Sequence, residues 1–140
     1  MPTETHRASV VFDASLAIRA AVDLNEQALY WLRAAEEQEV AAVWPELVFV
    51  EIAHGLLRLV RAGRIAAEEA GRKMARLVAA PVGVERLAPL VIPAMSVALE
   101  RSLSVYDATY VVLAERFDAR LITADRRLAS AVRDSVLISG

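Results

Sequence analysis

Four acidic residues in this chain occupy places where a carboxylate is costly or conspicuous. Asp107 lies in "SLSVYDATYVVLAERF", residues 102–117, which reads as a helix with almost every inner position apolar. Its helical neighbours at i−4, i+3 and i+4 are Leu103, Tyr110 and Val111. A lone carboxylate is expensive to bury in such company. Glu51 raises the same problem inside the helix predicted from about Glu46 to Ala62, with Leu47, Val48 and Gly55 beside it. It should be paired, protonated or bound to a cation. Asp13 and Asp125 each end a predicted parallel strand, the edge at which open α/β sheets bind ligands.

The three aspartates also have a simpler use. Ser104-Val105-Tyr106-Asp107 fits the capping box, with Ser104 as N-cap and Asp107 at N3. Asp13 and Asp125 are good N-caps for a following helix. Ser15 and Thr123 lie two residues from these acids and can hydrogen-bond them in either use. Glu51 is more than a turn inside its helix, too deep to cap. If all four acids met, they would repel: two carboxylates about 4 Å apart cost roughly 4 kcal/mol at an effective dielectric of 20. Hard divalent ions such as Mg²⁺ or Mn²⁺ remove that repulsion, because they take carboxylate oxygens. Four acids with one or two such ions make a phosphoryl-transfer site.

The elements that must bring the acids together are short. "SVVFDAS" reads as a buried strand and a turn, and about Glu26–Glu39 as a helix with Leu29, Leu32 and Val40 inward. "VAAVW" is a second strand, and Pro45 marks the start of the Glu51 helix, which Gly63 stops. "AAEEAGRKMARLVAA" is a helix closed before Pro81, and "VGVERL" is weakly strand-like. "PLVIPAMSVALERS" is helical, kinked or restarted at Pro93. After the Asp107 helix come a strand "ARLIT", a short helix "RRLASAV" and a last strand "SVLIS". Strands apolar on both faces, alternating with helices, predict a three-layer α/β sandwich with a short parallel sheet.

With 140 residues, 56% hydrophobic, the chain reads as a single domain, 1–140, with a sizeable core. A net charge of −2 excludes a domain-wide basic field. The absence of cysteine excludes disulfides, zinc–thiolate sites and thiol nucleophiles. "MPTETHRAS" shows no secretory signal, and no apolar run is long enough to span a membrane, so a cytoplasmic protein is expected. Glu51-Ile-Ala-His54 matches one half of a di-iron bundle, but the second E-x-x-H is missing. No G-x-S-x-G, P-loop or G-x-G-x-x-G occurs. A phosphoacceptor signalling domain would need a lysine at a late strand end, and the only lysine, Lys73, lies in a mid-chain helix.

Taken in order, "VVFDAS", "PELVFVEIAHGL", "LSVYDATYVVLAE" and "RLITADRRL" resemble the PIN-domain nucleases, specifically the VapC-type ribonuclease toxins of bacterial toxin–antitoxin pairs. The resemblance spans about residues 9–139. It implies a parallel sheet flanked by helices and an acidic pocket holding Mg²⁺ or Mn²⁺. It also implies endoribonuclease activity on RNA, a homodimer, and neutralisation by a small antitoxin protein. Asp13, Glu51, Asp107 and Asp125 match the family's acids and Thr123 its hydroxyl position, Ser15 more loosely. A non-catalytic PIN-like interaction module is the alternative, and it would be expected to lack one or more of these acids. Arg126 and Arg127 are placed to meet phosphate or to form a solvated helix face. Trp31, Trp44, Tyr106 and Tyr110 are expected to pack in the core or an interface rather than stack on bases.

Overall fold

The computed structural model describes residues 7–139. Five parallel strands form one sheet: β1 (Ala8–Phe12), β2 (Val40–Pro45), β3 (Gly83–Glu85), β4 (Arg120–Thr123) and β5 (Ser135–Leu137). Their spatial order is β3-β2-β1-β4-β5, every neighbouring pair parallel. The chain builds outward from β1 through β2 to β3, then crosses back to place β4 on the other side of β1. The switch point therefore lies between β1 and β4, where α/β sheets open a crevice at the carboxyl ends of the strands.

Alternation along the strands divides the core in two. Val10, Phe12 and Ile122 face one side, where α1 (Ala14–Ala21), α2 (Glu26–Glu36), α3 (Leu47–Arg61) and α4 (Ala67–Val78) pack around Trp44, Ile52 and Leu77. Val11 and Leu121 face the other, where α5 (Ala88–Arg101), α6 (Val105–Arg116) and α7 (Arg126–Ala131) supply Leu90, Leu113 and Leu128. The result is the three-layer sandwich expected from the strand pattern. Helix α6 is buried continuously from Ala108 to Ala114, so it is a central helix with no solvent face along that stretch.

Three details differ from the sequence reading. Residues 14–21 form a helix where a turn is predicted; eight residues carry too little periodicity to announce one, although Leu16, Ala17 and Ala20 make its buried stripe. Helix α6 starts at Val105, as the Ser104 cap predicts, and not at the head of the helical 102–117 segment, because Ser102 takes a left-handed conformation (φ 54°) and ends α5. Pro93 does not restart its helix: α5 runs through it. Proline has no N–H for the carbonyl of Pro89, and Arg116 Nη2 donates to that oxygen instead at 3.4 Å.

Candidate active site

The register of the two central strands builds the site. Phe12 pairs with Ile122, so the next residues, Asp13 and Thr123, meet across the switch point. Thr123 Oγ1 donates to Asp13 Oδ2 at 2.5 Å. Ser15 Oγ donates to Asp13 Oδ1 at 2.7 Å, and the Leu16 N–H donates to the same oxygen at 3.0 Å. The two hydroxyls are fixed from behind: Ser15 Oγ accepts the Ala124 N–H and Thr123 Oγ1 the Asp125 N–H, each at 2.9 Å. Asp13, only 5% exposed, is thus the N-cap of α1 and also a carboxylate locked in one orientation. Asp125 likewise caps α7, its Oδ1 accepting the Arg127 and Leu128 N–H groups. It is exposed.

Glu51 reaches the same place from within α3. It is half-buried and receives the Tyr110 hydroxyl on Oε1 at 2.5 Å. Asp107 enters from the first turn of α6. Ser104 caps that helix as predicted, accepting the Asp107 N–H at 3.0 Å. The helix dipole and the cap explain why Asp107 is tolerated there, but its electrostatics show further neighbours.

The acids act on one another. Burial pushes the Asp13 carboxyl above its usual range; the hydrogen bonds from Thr123, Ser15 and Leu16 pull it down, and the charge of Asp125 adds to the rise. Burial likewise raises Glu51, opposed by Tyr110 and reinforced by Asp13 and Asp107. Asp107 is raised by burial and by Asp125, and lowered by Arg127 and Ser104. All four acids therefore sense one another along a closed chain of repulsions. Among the described residues none of the four forms an ion pair within 4.0 Å.

This is a concentration of negative charge at a ligand-binding edge without an ion pair to balance it, Arg127 acting on Asp107 alone among the three raised acids. The donor set fits a hard divalent ion: carboxylate oxygens and hydroxyls, with no thiolate or imidazole among them. Asp13, Glu51, Asp107 and Asp125 are the residues that would hold it. Among the described residues no three acidic, histidine or cysteine side chains are yet close enough to hold one ion, so the arrangement is an open one.

Every site residue proposed from sequence is brought here: the four acids, Thr123 and Ser15. Arg127 acts on Asp107 as a neighbouring charge, and Arg126 is exposed. His54 is exposed on α3, and Trp44 is wholly buried, in the core as expected. Tyr106 is 62% exposed, so it lies outside the core and on the surface that an interface would use. Sequence reasoning missed Tyr110 as a partner of Glu51. Its one available signal is that it falls three residues after Asp107, on the same side of α6.

The PIN domain matches residues 10–133 of the chain. The chain belongs to the PIN-domain family. A VapC ribonuclease of Mycobacterium bovis is 37% identical over 125 residues, spanning 86% of this chain and 88% of that protein. The ribonuclease VapC3 of Pyrobaculum aerophilum is 32% identical over 124 residues, 86% and 92% of the two chains. Among PIN-domain proteins, then, this chain groups with the VapC ribonucleases. Solved structures share the fold: a Pyrobaculum aerophilum protein superposes with a TM-score of 0.74 at 24% identity, over 91% of this chain and 82% of that one. The VapBC2 complex of Rickettsia felis, bound to a DNA fragment from its promoter, gives 0.67 at 12% identity, over 93% and 97%.

Proposed function

We propose that this PIN-domain protein is a Mg²⁺- or Mn²⁺-dependent endoribonuclease acting in the cytoplasm as the toxin of a toxin–antitoxin pair. The observation that carries the reading is the set of four mutually repelling carboxylates, none of them in an ion pair, at the switch point of the sheet. All four acids are present and gathered at one edge, which disfavours a non-catalytic module.

A bound divalent ion would supply charge stabilisation at the scissile phosphate and acidify a water molecule. The chain's own residues supply the frame. Thr123, Ser15 and the Leu16 N–H hold Asp13 in one rotamer, so little reorganisation is needed when charge develops. Asp107 and Glu51 approach from two different helices, and Asp125 closes the outer side. Arg127, beside Asp107, is placed to draw an RNA phosphate toward the acids.

Two partners complete the proposal. Helix α5 exposes Ile92, Met95 and Leu99 at helical spacing, 77%, 54% and 83% exposed, with Val91 beside them. That apolar face is offered to a second copy of the chain as a homodimer. The second partner is a cognate antitoxin, supported by a Klebsiella pneumoniae structure of this fold described as a toxin–antitoxin complex. An antitoxin segment carrying an Arg across the acidic edge would balance the charge and so inhibit.

The experiment is direct. Purified protein stripped with EDTA should leave RNA intact and should cut it when Mg²⁺ or Mn²⁺ is restored. Cleavage that persists in EDTA would sink the metal-dependent mechanism.

A further inference from the structure

Tyr110 lies on α6 one turn after Asp107, on the same side of the helix. It is 2% exposed, and its hydroxyl donates to Glu51 Oε1 at 2.5 Å. The backbone N–H of Ala14, the residue after Asp13, acts on the same phenol and opposes part of the rise in its pKa. The hydroxyl therefore joins α6, which carries Asp107, to the middle of α3, which carries Glu51, beside the start of α1. Among the described residues Glu51 makes no other hydrogen bond, so Oε2 is left without a protein partner.

A buried phenol needs an acceptor, and a backbone carbonyl would serve. The fold instead gives it a half-buried carboxylate already repelled by two others. Burial and the nearby Glu51 charge hold the phenol well above its ordinary pKa, so it remains a proton donor. Glutamate has three rotatable side-chain bonds. A hydrogen bond from a buried aromatic with little freedom of its own removes most of that mobility before any ligand arrives.

We propose that Tyr110 is a positioning residue for Glu51: it pins Oε1 and leaves Oε2 as the oxygen offered to a divalent cation. The inference rests on the metal-dependent reading above. It makes α6 a two-part device, with Asp107 as a ligand and Tyr110 as the clamp that sets a second ligand on α3.

The test is Tyr110→Phe, which removes the hydroxyl and keeps the ring. Metal affinity is read without RNA, from thermal melts of EDTA-stripped protein titrated with Mn²⁺. The Mn²⁺ concentration for half-maximal stabilisation should rise about fivefold or more, in the range seen when groups that orient metal ligands are lost. In cleavage assays kcat should fall about tenfold, with KM for RNA changed by less than about twofold. In a Glu51→Gln background Tyr110→Phe should add nothing to the Mn²⁺ midpoint. A wild-type protein that responds to Mn²⁺ with a Tyr110→Phe variant that responds identically would overturn the positioning role alone. A wild-type protein that responds to neither Mn²⁺ nor Mg²⁺ would overturn the metal reading and this inference with it.

A second measurement leaves the fold intact. The chain has three tyrosines, so 3-fluorotyrosine gives three ¹⁹F resonances, assignable with Tyr30→Phe and Tyr106→Phe. The Tyr110 resonance should move on adding Mg²⁺, because its acceptor changes electronically. An unmoved resonance at Mg²⁺ concentrations that stabilise the protein would contradict the proposal.

Discussion

Helix α6 carries an acid near each end, Asp107 and Glu115, about 12 Å apart by helical rise. At its C-terminal end Glu115 meets Arg101 Nη2 at 2.9 Å, tying α6 to the end of α5. Nearby, Arg120 at the start of β4 meets Asp134 at 3.0 Å. Arg101, Glu115 and Asp134 line a cleft of about 760 Å³ with Arg133 and Asp118. At the N-terminal end Asp107 forms no ion pair and instead faces Asp125 and Glu51. The same chain, rich in arginine, pairs Glu115 and Asp134 with arginines near the amino ends of the strands and leaves the four acids at the carboxyl ends without an ion pair. Paired acids at the first edge hold helices and strands in place. At the second edge the Asp13, Glu51 and Asp125 carboxylates are held by hydrogen bonds that fix direction without neutralising charge, which is what a cation site requires.

Substitution at the two edges should separate these roles most sharply in catalysis. Asp13→Asn, Glu51→Gln and Asp107→Asn should each lower cleavage by roughly a hundredfold or more, since on the proposed metal-dependent reading each would remove a direct ligand rather than a supporting group. Asp125→Asn should be milder, because an outer acid can act through water. Glu115→Gln and Asp134→Asn, made at the other edge, should leave kcat within about twofold. Equal losses at both edges would erase the distinction.

A smaller effect concerns how α3 is set. A Cβ added at Gly55 would stand 2.4 Å from Ile18 Cδ1 on α1, so the two helices approach closely one turn after Glu51. Gly55→Ala gains up to about 1 kcal/mol of helix propensity. Overpacking costs about 1–3 kcal/mol. A net loss of about 1 kcal/mol in urea unfolding is expected, with a severalfold drop in cleavage. Ile18→Val, which removes the obstructing methyl, should restore both in the double variant.

The smallest effect is expected at the balanced edge. Arg120→Ala and Arg101→Ala break ion pairs whose side chains are half exposed to solvent. Such pairs contribute about 0.2–1 kcal/mol. A loss of several kcal/mol in chemical denaturation would show that this edge is more than a surface clasp.

The site was legible in the sequence to the extent that its residues were anomalous where they stood. Glu51 sits mid-helix with no capping use, and Asp13 and Asp125 end apolar strands. The parallel sheet followed from strands apolar on both faces. Helix α1 was not legible, because eight residues after a strand give barely two helical turns of pattern. Nor was the Tyr110–Glu51 contact, which joins residues 59 apart in sequence through the packing of two helices. Ser15 looked like a simple neighbour of Asp13. Its second bond, to the Ala124 N–H, depends on β1 and β4 being adjacent.

The central claim is that Asp107 belongs to a crowded cation site and is more than a helix cap. Thermal melts of wild type and Asp107→Asn, with EDTA or with Mn²⁺, at pH 5 and pH 7.5, test it most directly. Asp13, Glu51 and Asp107 all have folded-state pKa values raised above their ordinary values near 4. Groups of this kind favour folding most below their ordinary pKa and lose that contribution as pH rises through the folded value. The metal-free wild type should therefore be less stable at pH 7.5 than at pH 5. Asp107→Asn should flatten this dependence and be at least as stable without metal. Mn²⁺ at a hundredfold excess over Kd should stabilise the wild type by about 2.7 kcal/mol, and the variant should lose most of that gain. Equal Mn²⁺ responses in the two proteins, with Asp107→Asn mildly destabilised in EDTA, would contradict the account and leave Asp107 an ordinary cap.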